Sequence, residues 1–527
     1  MSSSEELQNA VKAMTSGSNR FDVTIICTTD DYQAEYWMKR LSDGICRDSQ
    51  MVLACAEDWG PGGAGNGLGT LYAYKKACTL AQNKFGVDLD QLLSTGQVSA
   101  ALFHTAGKGT RMAPLPASEN NNKPGVKLPV VYQRASDGSP TPMTVLEAVI
   151  QQTGIYASSR KGRLSVFWGD QVFLPSAPFV YTPSHHADIM CTLLGDEAPT
   201  AEEWAAQGLE KYGVIAVLKG ESRNAAQVEK VNHATAVKML GSLGDIGQVG
   251  PSLGSFSVSA SLLQGLCEEF HSELKEKTAK LDTDPHFWMP LTLPKEEYAS
   301  LMAQKGIEKE ISNSHHDRMT IFKSKLDLSD MGLFGAVDVG KDACWWDYGL
   351  LKLYSKNNLK LLDDDEDAQL LRKFMGVTDR KAHSDVGATM DDKSVVLACK
   401  IKSGSVISSV LSAVTATEVC SDGAIIINCA APKISAAKGA ILYNLISSED
   451  IVVGEGEVQV SVTEESGESM VLKSSMDIDG GNYWKVKLDM NDLTFEDVFL
   501  KNHDANVGAI EVKRYEAYDA AVKAMGF

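Results

Sequence analysis

This 527-residue chain has no G-x-x-x-x-G-K-[ST] loop, no C-x-x-C pair and no uninterrupted apolar run long enough to span a bilayer. The first absence excludes a P-loop kinase. The second argues against a zinc ribbon or a dithiol motif, and the ten cysteines are read as buried free thiols of a reducing compartment, with neither a zinc site nor a disulfide framework expected. The third excludes a membrane-spanning helix. Positive charge is also short: 50 Lys and Arg stand against 69 Asp and Glu, a net charge of −19. That balance argues against a nucleic-acid or anionic-membrane partner. The opening Met-Ser-Ser-Ser-Glu-Glu lacks the basic start and apolar stretch of a signal peptide, so a cytoplasmic location is expected.

What is present is ordinary for a globular enzyme: 44% apolar and 23% charged residues, with length for two or three domains. Short β-branched apolar runs at 21–28, 51–56, 98–103 and 164–168 read as buried strands. Helical spacing at 32–41, 71–83 and 143–153 alternates with them. The alternation predicts an α/β domain with a mixed, mostly parallel Rossmann-like sheet over residues 1–380, whose ligands bind beyond the carboxyl ends of the strands. The acidic run 363–367 reads as a solvated helix flank. Beyond 393 the pairs Val410-Leu411, Ile426-Ile427 and Leu442-Tyr443 recur at the coil length of a β-helix, with Asn428 and Asn444 in matching places. A left-handed β-helix-like domain is expected over 394–460, a β-sandwich being the alternative. Strands such as 483–488 and a closing helix near 515–525 complete 461–527. The β-helix suggests self-association into a homo-oligomer.

The segment Ala106-Gly-Lys-Gly-Thr-Arg-Met-Ala-Pro-Leu115 follows the third strand directly, with Lys123-Pro124 downstream. Gly107 and Gly109, with Thr110, let backbone N–H groups approach phosphate oxygens. Arg111 supplies a permanently charged fork for developing phosphoryl charge. Lys123 or Lys127 returns a point charge from the loop. Such an arrangement is one way to hold a nucleoside triphosphate without a Walker loop. It resembles the signature loop of the sugar-1-phosphate nucleotidyltransferases, G-x-G-T-R and then K-P, which selects Lys123. The resemblance implies Mg-dependent transfer of a nucleotidyl group from an NTP to a sugar-1-phosphate, with pyrophosphate released.

Further segments carry the same resemblance. Phe167-Trp-Gly-Asp170 resembles the Gly-Asp that ends a central strand, and Cys344-Trp-Trp-Asp347-Tyr-Gly349 the W-x-D-x-G segment. Asp170 and Asp347 would then hold the magnesium ion. Tyr212-Gly213-Val214 resembles the strand beside the sugar, and Val228-Glu229-Lys230 the E-K-P segment without its proline. Gly213 and Lys230 would bind the sugar phosphate. Gly254 opens a similar later glycine segment. The upstream stretches 22–29, 65–70 and 104–111 resemble the fucose-1-phosphate guanylyltransferase branch. The upstream likeness favours GTP with fucose-1-phosphate, the general form of the loop UTP with a hexose-1-phosphate, and UTP is preferred.

Other readings compete. Gly60-Pro-Gly-Gly-Ala-Gly65 fits G-x-G-x-x-G, the dinucleotide fingerprint, but its continuing glycines place the helix start near Thr70, outside the motif. His185-His186 and His315-His316 are read as surface residues, since adjacent histidines splay apart. His104 has no assigned role beyond the core. A catalytically silent binding subunit with the same fold is the alternative of a different class.

Overall fold

The computed structural model describes residues 2–220, 223–241 and 243–527. Its N-terminal part is built on thirteen strands: β1 (Val23–Thr28), β2 (Met51–Ala56), β3 (Ala100–His104), β4 (Lys127–Gln133), β5 (Pro140–Thr144), β6 (Arg163–Trp168), β7 (Gln171–Leu174), β8 (His185–Cys191), β9 (Gly213–Leu218), β10 (Ala225–Glu229), β11 (Ile246–Ser259), β12 (Gly332–Asp338) and β13 (Cys344–Asp347). The main sheet runs β2-β1-β3-β6-β11, with β11 continuing to β9 and β10 and also to β8 and β12. The strands β2, β1, β3 and β6 are parallel. β11 runs against β6, β8 and β9, and a register shift between Ser252 and Phe256 lets it change partners along its length.

All six residues of β1 and all six of β2 are buried, as strands covered on both faces require. Alternate side chains go to opposite layers. Ile26, Phe103 and Phe167 face one core with the helix Val145–Thr153. Ile25, Leu102 and Val166 face the other, against the helix Gly65–Phe85. The sequence pattern is therefore realised as a mixed, parallel-rich α/β sheet.

The C-terminal part is a stack of parallel coils. Val395–Leu397, Val410–Ser412, Ile425–Ile427 and Ile441–Tyr443 pair in register on one side. Lys400–Ile407, Thr415–Asp422 and Ala430–Ala436 pair on the next. Each coil turns its corner through a left-handed residue: Ala398, Ala413, Asn428 and Asn444, at φ 53°, 52°, 54° and 54°. Asn428 Nδ2 donates to Asn444 Oδ1 at 2.7 Å, so these two asparagines form a ladder between successive corners. Val396, Leu411, Ile426 and Leu442 fill the inside of the coil. Val395, Val410, Ile425, Ile441 and Tyr443 point outward into the same core as Leu128 of β4 and Tyr354, so the coil and the sheet share one apolar interior.

Two expectations for the tail change. Residues 483–488 form turns rather than a strand, because Tyr483 N bonds back to Asp479 O (3.0 Å) and Val486 N to Tyr483 O (3.0 Å). Their alternation reflects Trp484 and Leu488 packing inward from turns. The closing helix begins earlier, at Val507, and ends at Ala524, capped by Asn506.

Candidate active site

A cavity of about 700 Å³ opens beyond the carboxyl ends of the parallel strands. At the β3 and β6 side it is lined by Gly107, Arg111, Lys123, Gly169 and Asp170. At the β2 side it is lined by Glu57, the glycines of the 62–65 segment and Asn66, with Lys280 and Asp282.

Asp170 stands two residues past β6, where the chain turns into β7. β13 pairs antiparallel with β7 and sets Asp347 opposite Gln171. Tyr348 N donates to Asp170 O at 3.0 Å, which fixes the two segments together. The carboxylates consequently meet: a β-carbon on Gly349 would stand 3.0 Å from Asp347 Oδ1 and 3.1 Å from Asp170 Oδ2. Only glycine leaves that space open. Lys123 Nζ pairs with Asp170 Oδ2 at 2.6 Å. Burial holds Asp347 above the ordinary aspartate range, and the Asp170 carboxylate adds to the effect, against opposing pulls from the Gly349 N–H, Arg111 and Lys123.

The signature loop is shaped by two of its own residues and backed by the far end of the chain. Gly109 adopts φ 64°, and a side chain there would meet Lys123 Cγ and Pro116 Cγ, each at 3.1 Å. Gly109 thus gives the Lys123 stem its path to Asp170. Thr110 opens the short 3-10 turn Thr110–Met112 that presents Arg111. Gly480 lies against this turn, where a β-carbon would be 2.8 Å from Ala113 Cβ and closer still to Thr110 O. Lys108 Nζ sits 5.4 Å from the ring centre of Phe499. Nothing in the local sequence of 479–499 signals this role, because it is a contact between segments more than 350 residues apart.

Lys123, Asp170, Asp347, Arg111 and Gly107 are brought together, and Gly109 and Thr110 shape their loop. Lys127 goes elsewhere: it is buried and ion-paired with Glu119 at 2.5 Å, under the coil. Gly213 opens β9 and faces Gln227 and Asp284 rather than the cavity. Lys230 is largely exposed, in a left-handed conformation beside Glu229, and is not a lining residue. Gly254 packs against the indole nitrogen of Trp168, itself a lining residue.

The histidine expectations need correction. His185, His186 and His316 are buried, not on the surface. Each is satisfied within the fold, His186 by Ser259 and Asp327 O and His316 by Leu293 O. His315 reaches His286 O. Adjacent histidines do splay apart, but into protein on both sides. His104 lines the cavity, and burial pushes its imidazole down to about 4, so the ring is neutral at pH 7.

The glycine-rich segment also differs. The helix opens at Gly65, not near Thr70. Its first N–H groups are already taken: Asn66 N by Asp282 Oδ1 (2.9 Å), Gly67 N and Leu68 N by Leu281 O (2.9 and 3.2 Å). A β-carbon on Gly67 would stand 2.8 Å from Leu281 O, so this glycine serves close packing of the 281–282 loop. A helix end capped by its own protein does not offer those donors to a pyrophosphate.

No protein-family model matches the chain, and no curated protein matches it. Among solved structures, it aligns with a "Putative Glucose-1-Phosphate Thymidylyltransferase from Bacillus anthracis" in complex with sucrose, at 11% identity, over 66% of this chain and 98% of that one, with a TM-score of 0.19. A likeness of that size carries no argument about fold, substrate or site. The case for function rests on the residues.

Proposed function

We propose that this cavity binds a nucleoside triphosphate and a sugar-1-phosphate and transfers the nucleotidyl group. The observation that carries the reading is that Arg111, Lys123 and Asp170 line one side of the cavity, with the Asp347 carboxylate set behind Asp170 next to Gly349. A sugar phosphate oxygen attacks the α-phosphorus, the bond from the α-phosphorus to the bridging oxygen breaks, and the electron pair leaves with pyrophosphate. No covalent enzyme intermediate is needed, so the protein supplies position and charge. Arg111 and the N–H groups around Gly107 stabilise the charge on the departing oxygens. Lys123, already held against Asp170, adds a mobile point charge. The paired carboxylates of Asp170 and Asp347 offer hard oxygen donors of the kind magnesium takes, and they would hold that ion. Bound there, it would neutralise charge between phosphate oxygens. Local cations of this kind are required, because the net charge of −19 repels both substrates. Lys230 and Gly213 lie outside this assignment.

The test is pyrophosphate release with magnesium, across the four common NTPs crossed with glucose-, mannose-, fucose- and N-acetylglucosamine-1-phosphate. One active pair is expected, UTP with a hexose-1-phosphate or GTP with fucose-1-phosphate. Silence across the grid from a folded protein would move the reading to a binding-only subunit.

Two further outcomes follow for the active pair. Asp347 protonates above the ordinary aspartate range, so its charge is lost earlier as pH falls. In the metal-free site a proton therefore competes with magnesium for Asp347, so the magnesium concentration needed for half-maximal activity should rise on the acid side before an ordinary aspartate titrates, and Asp347→Asn should remove that dependence along with most activity. Gly480→Ala should shift the Thr110–Met112 turn and lower kcat about tenfold to a hundredfold, by misplacing Arg111. An unchanged kcat would show that the C-terminal segment does not position the loop.

A further inference from the structure

Beneath the β1, β2 and β3 side of the cavity, the structure assigns a site for a borderline transition cation of the zinc(II) type, with Cys27 Sγ, the Glu57 carboxylate and a ring nitrogen of His104 as ligands. Such a site is independent of the proposed transfer and stands whether or not the transfer is catalysed.

The sheet itself assembles the donors. Cys27 and His104 are partners across β1 and β3. Thr28, the next residue of β1, pairs with Ala56, and Glu57 follows Ala56 directly. One atom from each of the three side chains lies within 4.8 Å of the others, and Cys27 Sγ is 3.9 Å from Glu57 Oε2. Zinc bonds of about 2.0–2.3 Å in a tetrahedron hold their donors roughly 3.3–3.8 Å apart. Small side-chain rotations would close this cluster onto an ion.

The imidazole is prepared for it. The Thr70 hydroxyl donates to Asn66 O at 2.7 Å, so its 2.8 Å contact with His104 Nε2 is a donation from the ring. The lone pair is then on Nδ1, and Thr70 is the outer partner that metal-bound histidines commonly have. Burial keeps the ring neutral, the form that binds metal. Gly69 roofs the cluster: a β-carbon there would be 3.0 Å from Glu57 Oε2 and 3.6 Å from His104 Cε1.

Access and chemistry agree. Glu57 and His104 line the cavity while Cys27 lies beneath, so a fourth position opens to the cavity. Three protein ligands with one open position is the pattern of accessible zinc sites. Burial holds Cys27 as a thiol that donates to Glu57 Oε2, so the ion must displace that proton on binding; the resulting thiolate and the imidazole select a softer ion than the all-oxygen pair Asp170 and Asp347. The missing C-x-x-C pair does not bear on this site, because its donors come from three different strand ends.

The test is cobalt(II) titration of the reduced, chelator-dialysed full chain, followed by zinc competition. Expected are one equivalent bound, a near-ultraviolet thiolate-to-cobalt charge-transfer band, and loss of the band as zinc is added. Cys27→Ser should abolish the band, and Glu57→Gln and His104→Gln should each weaken binding at least tenfold. Circular dichroism and thermal melting establish that each variant is folded. Where Cys27→Ser fails to fold, the two cavity-lining variants carry the test. No charge-transfer band in the wild-type chain, or cobalt affinity unchanged in folded Glu57→Gln and His104→Gln, overturns the assignment.

Discussion

Asp170→Asn is expected to cut pyrophosphate release by about a hundredfold to a thousandfold while leaving the fold intact. Asparagine matches aspartate in shape, and the bond that docks β13 onto this turn, Tyr348 N to Asp170 O, uses only backbone. What disappears is charge. The variant loses one of two adjacent carboxylates and releases Lys123 from its 2.6 Å partner. Magnesium affinity should fall with it, so more magnesium should recover part of the activity. The measurement is turnover against magnesium concentration on the active substrate pair, with thermal melting as control. A folded variant that kept a tenth or more of wild-type turnover would sink the assignment of Asp170.

The largest expected effect on stability belongs to Glu119→Ala. Glu119 is buried between the signature loop and the coil, where it receives Lys127 Nζ, Tyr443 Oη, Asn444 Nδ2 and Arg514 Nη1. Burial alone would raise its pKa, but Lys127 and Arg514 outweigh that and hold the carboxyl below its usual range. Removing it strands two buried cations, a situation that costs about 3–5 kcal/mol. A clear fall in the denaturant midpoint is expected, with Glu119→Gln between wild type and Glu119→Ala, because the amide oxygen still accepts from Lys127, Tyr443 and Asn444 while its NH2 cannot receive Arg514 and the charge is gone. An unchanged midpoint for Glu119→Ala would mean that water or a rotamer change relieves Lys127 and Arg514.

The parallel strands were legible because each is a short, largely apolar run, and such runs become buried strands whenever helices cover both faces. The coil was legible for a related reason: a repeating corner requires a repeating residue, and Asn428 and Asn444 are such residues. Gly107, Arg111 and Asp170 follow strand ends that open on one surface, whereas Lys123 was chosen over Lys127 only by resemblance to K-P. Asp347 was legible only by resemblance, since its position depends on β13 pairing with β7 across more than 170 residues. Glu57, His104, Lys280 and Gly480 left no signal, because what matters about them is which distant segment they touch. The histidine pairs failed for a similar reason. Local geometry told how they diverge, not that protein waits on both sides.

The backing of the Thr110–Met112 turn by Gly480 has a consequence in time. Ribosomes deliver the N-terminal strands and the loop first, and about 370 residues must follow Arg111 before that backing exists. A nascent chain could lay down the sheet and the cavity floor early, yet the Thr110–Met112 turn would stay unbraced until Gly480 emerged. That bracing would then arrive in one late step, and a chain stalled before Gly480 would carry Arg111, Lys123, Asp170 and Asp347 without the contact that backs the turn.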